Sequence, residues 1–384
     1  MKSSEETKAD YVKTLNETKI NIKKDVDFVK INNHFVGTPF FEITSNHNDE
    51  FKVDFLVDDD KVHSTTLSSN MWTRLNKKYY RDYTIKVSKN GELIYDEKIN
   101  LKNKRVFITL ESSSLGDSIA WVPYAEEFRK KHECVLIIST FWNHLFEKTY
   151  PNLEFVKPGI TVNNLYAMYS LGWFYNEDME PELPNTIPLQ KAATNILGLE
   201  FKEVKTEVNF NPKEKPYIEK YVTIAPHSTS GLKYWNNKTG WEEVVSFLTK
   251  SGYKVINVSK EGCDIKGVET IKDTSIDNTM NVIHHSEFFI GLSSGLSWLA
   301  WGINKHVVMI SNFTEKDHEF TINTTRITND SVCNGCWNKP QFKFDKGDWN
   351  WCPEHKNTDR QFECHKSITG EMVIKQIKKL LKWK

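Results

Sequence analysis

The residue types able to do chemistry concentrate in four places. The first is Ser112-Ser113-Ser114-Leu115-Gly116-Asp117-Ser118. Gly116 permits a tight turn, and Asp117 stands at the start of an expected helix. A carboxylate there has two readings. It caps the helix, as Asp commonly does, or it acts as a general base. The helix dipole keeps it ionised and weakly basic in water. Base work therefore needs a dry site with an acceptor hydroxyl in hydrogen-bond reach. The second place is Pro226-His227-Ser228-Thr229-Ser230-Gly231-Leu232-Lys233. Ser228, Thr229 and Ser230 offer hydroxyl and backbone N–H donors, and Lys233 offers positive charge. That set suits a pyrophosphate, although it lacks the Walker A order. An ordinary polar turn is the alternative. The third is Ser293-Ser294-Gly295-Leu296-Ser297. A helix is expected to open around Ser294–Leu296, where unpaired N–H groups bind phosphate. Gly295 lets a ligand approach the backbone. A small-residue turn is again the alternative, but all three stretches fall at the carboxyl ends of expected strands.

The fourth place is a cysteine set. Four of the six cysteines crowd together: Cys333 and Cys336 as C-x2-C, then Cys352 and Cys364. The paired spacing puts two thiolates on one metal, and two more complete a tetrahedral site that suits zinc or iron. His355 and His365 are alternatives for one thiolate. Cys134 and Cys263 are scattered in structural segments. Loose thiols or a redox switch are the competing readings. Such a finger has few aliphatic residues, so the metal is expected to supply much of its folding free energy. Loss of Cys352 should disorder it and leave Asp117 and Lys233 chemically intact.

These residues need elements to hold them. RVFITL, CVLIIST and LEFVKPG read as strands, and SIAWVPYAEEFRKKH as a helix with Ile119, Val122, Ala125 and Phe128 on one face. An irregular aromatic stretch, LYAMYSLGWFYNEDMEPELPNTIP, follows. QKAATNILGLE is a helix with a Gly198 cap. After the linker FNPKEKP the strand–helix alternation resumes with YVTIA, GWEEVVSFLTKSGY, KVINVSK, DNTMNVIHHS, FFIGL, SGLSWLAWGI and HVVMISN. Two such series argue for two Rossmann-like halves, with ligands at the carboxyl ends of the strands. Upstream, FFEITS, EFKVDFLVD and TIKVSK-Asn90-Gly91-ELIYDEKI alternate apolar and polar residues around a strong hairpin signal. The expected organisation is a polar arm over 1–27, an antiparallel β domain over 28–104, half one over 105–210 and half two over 217–330. A cysteine finger over 331–366 and a terminal helix over 367–384, with Val373, Ile377 and Leu380 or Leu381 on its packed side, complete it.

Composition excludes several classes. The chain has 384 residues with 51 basic and 51 acidic side chains, so no electrostatic footprint for nucleic acid or anionic membrane is visible. The longest apolar stretches are too short to span a bilayer, and MKSSEETKAD has no signal-peptide core. A cytoplasmic location is expected, where clustered cysteines point to metal more than to disulfides. Twelve Trp, fourteen Tyr and twenty-two Phe suit aromatic cores and sites that stack flat ligands. The β domain holds no catalytic cluster, so its expected work is contact, with a partner or with another copy, and a homo-oligomer is expected.

RVFITLESSSLGDSIAWVPY, APHSTSGLKYW and FFIGLSSGLSWLAWGINKHVVMIS resemble the three signature regions of the heptosyltransferase family. The closer resemblance is to the bacterial autotransporter heptosyltransferases, relatives of the lipopolysaccharide heptosyltransferases. It covers nearly the whole chain from about residue 30. It implies a GT-B α/β fold with an N-terminal β domain and a four-cysteine iron finger. The implied reaction is inverting transfer of heptose from ADP-heptose to Ser or Thr hydroxyls of an autotransporter passenger domain. Asp117 would be the base, Lys233 with Ser228, Thr229 and Ser230 would hold the diphosphate, and Ser293–Ser297 would bind the nucleotide side. Cys333, Cys336, Cys352 and Cys364 would bind one structural, ferric iron, with zinc as the alternative and no catalytic metal. The lipopolysaccharide enzymes show Asp-Thr-Gly-Leu-x-His in the third region. This chain has Ser293, Ser294, Gly295, Leu296 and Trp298 there, which points toward the protein-modifying branch. Another nucleotide sugar or a lipopolysaccharide acceptor, and a non-catalytic metal-finger scaffold, are the rival readings.

Overall fold

In a computed structural model of the chain the described residues are 28–342 and 350–382. The expected arm over 1–27 lies outside them, as does part of the finger. The described chain forms two compact units. The smaller takes residues up to Asn33, Phe40–Arg74 and Thr84–Glu97, and the larger takes His34–Pro39, Leu75–Tyr83 and Lys98 onward. Segments inside the expected 28–104 domain thus belong to the larger unit.

Strands β1 (Val29–Val36), β2 (Phe40–Ser45), β3 (Glu50–Val57), β4 (Asp60–Ser68), β5 (Met71–Arg74), β6 (Tyr83–Lys89) and β7 (Glu92–Lys98) come first. In the smaller unit β2 pairs antiparallel with β5, and a second sheet runs β4-β3-β6-β7. Alternation makes its core: Phe51, Val53 and Phe55 on β3 and Ile85 and Val87 on β6 are buried. Asn90 and Gly91 turn the β6–β7 hairpin with φ of 53° and 85°, as that dipeptide leads one to expect. Sequence patterning missed β4 because only Leu67 of its side chains is buried, which leaves no apolar alternation to read.

The larger unit holds two parallel α/β halves. The first contains β8 (Arg105–Leu110), α1 (Leu115–His132), β9 (Val135–Ser139), β10 (Glu154–Val156), β11 (Ala167–Leu171) and α2 (Leu189–Leu197). Its strands run β10-β9-β8-β11, all parallel. Phe35 and Val36 of β1 extend this sheet in parallel beside Ala167 and Met168. The stretch expected to be irregular therefore contains a central strand. Ala167, Tyr169 and Leu171 are its buried side chains, set among aromatics that obscure the period. The second half contains β12 (Tyr221–Ala225), α3 (Gly240–Lys250), β13 (Lys254–Asn257), β14 (Val268–Thr270), α4 (Ile276–His285), β15 (Phe289–Leu292), α5 (Gly295–Gly302), β16 (Val307–Ile310) and β17 (Thr324–Ile327). The order β14-β13-β12-β15-β16-β17 places the topological switch between β12 and β15. Ligands bind outside the carboxyl ends of strands at such a switch. The loops carrying Ser228–Lys233 and Ser293–Ser297 leave from those two ends.

Helix α1 is buried on nearly every side, so Trp121 and Tyr124 join the expected apolar face. Pro123 inside it has no N–H to give the Ile119 carbonyl. The buried Thr206 hydroxyl donates to that carbonyl instead. The short α6 (Glu363–Lys366) ends the finger, and α7 (Gly370–Lys382) follows. Val373 and Ile377 of α7 join Val244 and Leu248 of α3 in one core, as the sequence pattern implies. Among the described residues no helix is long and apolar enough to cross a membrane.

Candidate functional site

Ser114, not Asp117, caps α1. The Ser114 Oγ accepts the Asp117 backbone N–H at 3.4 Å, and the helix begins at Leu115. The capping reading of the Asp117 side chain is therefore corrected: the helix starts earlier than its apolar pattern. The Asp117 carboxylate instead accepts the Ser112 hydroxyl at 2.6 Å and the Trp173 indole N–H at 3.0 Å, both on Oδ2. It is only 9% exposed. Burial raises its pKa, and Ser112, Trp173, Lys233 and Ser114 offset only part of that, so the net direction is upward. A carboxylate so placed is a stronger base than one in water.

Lys233 ends a 3₁₀ turn, Gly231–Lys233, after β12. Burial lowers the pKa of its ammonium while the charges of Glu319 and Asp117 push the other way, leaving it lowered. Lys233 and Asp117, from different halves, thus stand close enough to feel each other's charge. The Ser228 Oγ, Ser294 Oγ and His227 Nε2 are buried without a hydrogen-bond partner. Buried hydroxyls left unpaired are costly, and these lie in the two loops expected to meet a ligand. Thr229 is exposed and Ser230 buried. Ser294 is the N-cap of α5, and its side chain makes no capping hydrogen bond.

The other serines of the third stretch are committed to the fold. Ser297 donates to the Leu292 carbonyl at 2.5 Å, and Ser293 donates to Glu319. Glu319 also accepts from Thr314 at 3.0 Å and pairs with Arg326 at 2.5 Å. Burial would raise this carboxyl, yet Arg326 and His318 hold it at about 2. The network ties the loop after β15 to the one after β16. The sequence offered no pattern for it, because single polar residues at irregular spacings make no motif.

The loops of the two halves touch. A methyl group built on Gly116 would sit 3.1 Å from Trp298 Cδ1 and 3.6 Å from Gly295 Cα. Leu296 is half-buried at the same seam. Asp117, Lys233 and the Ser293–Ser297 turn are therefore brought together. Trp173, which sequence reading left unassigned, joins them. Its ring stacks on His318 (6.4 Å between centroids) and meets Trp337 edge-on at 5.5 Å.

Trp337 comes from the cysteine finger. Its backbone N–H donates to the Phe313 carbonyl at 3.1 Å, and its own carbonyl accepts from Asn185 at 2.9 Å. Cys336, Cys352 and Cys364 are buried and Cys333 is half-buried. Burial, then the charges of Cys333 and Cys336 and, more weakly, Cys352, push the Cys364 thiol up to about 12. Burial, a Glu363 hydrogen bond and the Cys336 and Cys352 charges do the same for Cys333. The sulfurs thus lie near enough to perturb one another, and the raised values keep them as neutral thiols. Donor atoms of Cys333, His355 and Glu363 also lie within 4.8 Å of one another. Glu363 is already engaged by Arg360 at 2.5 and 2.8 Å. His365 accepts the Asn312 backbone N–H at 3.1 Å and so is occupied as an alternative ligand. Cys134 is buried at the edge of β9, responding to Arg129 and Glu126 rather than to the finger.

The chain is similar to several known proteins. The model of glycosyltransferase family 9 (heptosyltransferase) matches residues 180–350. The autotransporter heptosyltransferase Aah of Escherichia coli is 37% identical over 326 residues, 80% of this chain and 83% of that protein. The crystal structure of the iron-containing dodecameric glycosyltransferase TibC from enterotoxigenic E. coli H10407 superposes with a TM-score of 0.84 at 32% identity, covering 92% of this chain and 96% of that one. A second TibC structure, in complex with ADP-D-beta-D-heptose, gives 0.83 over 95% and 99% of the two chains. An inactive autotransporter heptosyltransferase, BimC of Burkholderia thailandensis, is 29% identical over 79% of this chain and 75% of that protein. The fold is GT-B-like, as expected.

Proposed function

The chain belongs to the autotransporter heptosyltransferases of glycosyltransferase family 9, and from that membership we propose that it transfers heptose from ADP-heptose to Ser or Thr hydroxyls of an autotransporter passenger domain. The observation that carries this reading is the pairing of Asp117 and Lys233, one from each half, within range of each other's charge. A non-catalytic scaffold gives no reason to bring a buried carboxylate of one half within range of a lysine of the other. The TibC complex with ADP-heptose supports the donor.

The mechanism is an inverting single displacement. Asp117 takes the proton of the acceptor hydroxyl. The resulting oxygen bonds to the anomeric carbon as the bond from that carbon to the diphosphate breaks, and ADP leaves. Lys233, the unpaired hydroxyls of Ser228 and Ser294 and the N–H groups at the start of α5, which no side chain caps, receive the diphosphate charge. Preorganised donors in a dry site stabilise a developing anion without reorganisation. Ser230, Gly295 and Leu296 shape the same cradle, with Thr229 at its exposed rim.

We also propose one iron per chain on Cys333, Cys336, Cys352 and Cys364, as TibC is iron-containing. The mutually perturbed thiols fit a thiolate-binding metal. Four sulfurs leave no open position, so the metal contributes rigidity to the finger and no chemistry to the sugar. Dodecameric TibC and the half-exposed Val62, Met71, Trp72 and Leu93 of the smaller unit support a homo-oligomer.

Co-expression with an autotransporter passenger tests the reading. Intact-mass spectrometry should find heptose increments on Ser or Thr with the wild type. Asp117→Asn leaves the Ser114 cap in place and should cut transfer ~10²–10⁴-fold, the usual size for a lost general base. Absent increments, or wild-type transfer by Asp117→Asn, would overturn it.

A further inference from the structure

We propose that Trp173 is a positioning residue for Asp117: its indole N–H holds Oδ2 so that Oδ1 faces the acceptor hydroxyl, and Trp337 of the finger holds the indole. The inference rests on Asp117 being the base.

Three observations lead there. Two donors, Ser112 Oγ at 2.6 Å and Trp173 Nε1 at 3.0 Å, fall on the same carboxylate oxygen. A serine hydroxyl rotates and can reverse its role, but an indole N–H only donates. A protonated carboxyl oxygen is the poorer acceptor, so the Trp173 donor disfavours a proton on Oδ2 and leaves Oδ1 as the favoured place for the proton that Asp117 accepts. The carboxylate is made asymmetric by a rigid group.

The indole has little freedom. It follows β11, where the Glu111 N–H bonds the Leu171 carbonyl at 2.9 Å. A methyl group on Gly172 would meet the Phe174 ring at 2.8 Å, so the chain turns tightly just before Trp173. The ring is then enclosed by Trp121 of α1 at 6.1 Å, His318 at 6.4 Å and Trp337 at 5.5 Å. These come from the first half, the second half and the finger.

Trp337 is itself fixed. It follows Cys336, and Asn185 and Phe313 bind its backbone. Asn338 adds a bond to the Asn185 carbonyl at 2.8 Å and a contact to His318 Nδ1 at 3.1 Å. The finger thus acts as a wall behind the base, and its order reaches Asp117 through one aromatic contact and one hydrogen bond.

The test uses the full-length protein, ADP-heptose and a purified passenger. Trp173→Phe keeps a ring and removes the N–H. Its kcat should fall roughly 10–100-fold, as misaligned groups do, with ADP affinity by calorimetry unchanged. Losing a donor to the carboxylate raises the Asp117 pKa. The acidic limb of the pH profile should therefore move up by roughly one pH unit, the size of a hydrogen bond to a charged acceptor. Trp337→Leu leaves Trp173 and Asp117 in place, guards against a folding failure of the first variant, and should move kcat and the limb in the same direction. A Trp173→Phe enzyme with wild-type kcat and pH profile overturns the proposal. So does a loss of kcat in either variant with the limb unmoved, since packing alone explains that. Asp117→Asn is run beside them: if it retains turnover, the base assignment fails, whereas its loss beside a normal Trp173→Phe sinks only this inference.

Discussion

At Lys233 two forces oppose. Burial lowers the pKa of its ammonium, and the carboxylates of Glu319 and Asp117 raise it. A diphosphate brought beside it would add negative charge and favour the protonated form further. We expect Lys233→Ala to weaken ADP binding roughly 10–100-fold, the scale of a charged hydrogen bond, as read by calorimetry. Unchanged ADP affinity would remove Lys233 from the site. Lys233→Arg should restore only part of the loss, because a planar fork does not replace a compact point charge. The same scale of reasoning separates the serines. Ser228 and Ser294 have hydroxyls to spare, while those of Ser293 and Ser297 are spent on Glu319 and Leu292.

The segment between β11 and α2 sets a condition on pH. Glu180 in it is 2% exposed, and neither carboxylate oxygen has a well-formed partner. Burial pushes its pKa up from 4.5 to about 8, with the Phe174 backbone offsetting little. Across that interval the folded chain holds a proton that the unfolded chain releases. Stability from this group is therefore full below about 4.5 and is lost as pH rises through about 8. Glu180→Gln should raise the Tm relative to the wild type at pH about 8.5 and change it little at pH about 4.5. Equal Tm differences at both values would show that the carboxyl is not buried in this way. The segment carries Trp173, so its order bears on the base as well as on the fold.

Across the larger unit, the finger behaves as a joint. Trp337 meets Asn185 and Trp173 of one half and Phe313 of the other. Removing a ligand should therefore do more than loosen a peripheral loop. If Cys352 is a ligand, Cys352→Ser is expected to lower metal content and Tm, and to lower kcat through the position of Trp337 while Asp117 and Lys233 stay chemically intact. Elemental analysis and the visible spectrum check it. A ferric thiolate site absorbs visible light by charge transfer, whereas zinc is colourless. Full metal occupancy in Cys352→Ser, or metal loss with normal kcat, would contradict the joint.

The sequence by itself determined the two α/β halves, the loops at their strand ends and the cysteine cluster. Those features rest on local patterning: buried parallel strands read as apolar runs, helix starts as small residues, and metal sites as paired cysteines. Asp117, Lys233 and the C-x2-C could be read as candidates for that reason. The tertiary structure alone decided which group caps α1, since the cap depends on where Ser114 points. It decided that β11 lies beside β8, because an aromatic stretch has no clear period of its own. It also brought Trp173, His318, Glu319 and Arg326 to the site. Trp173 and the 318–326 stretch lie far from Asp117 in the chain, and contacts over such separations leave no spacing to read. Packing of two sheets and a finger against one another is what selects them.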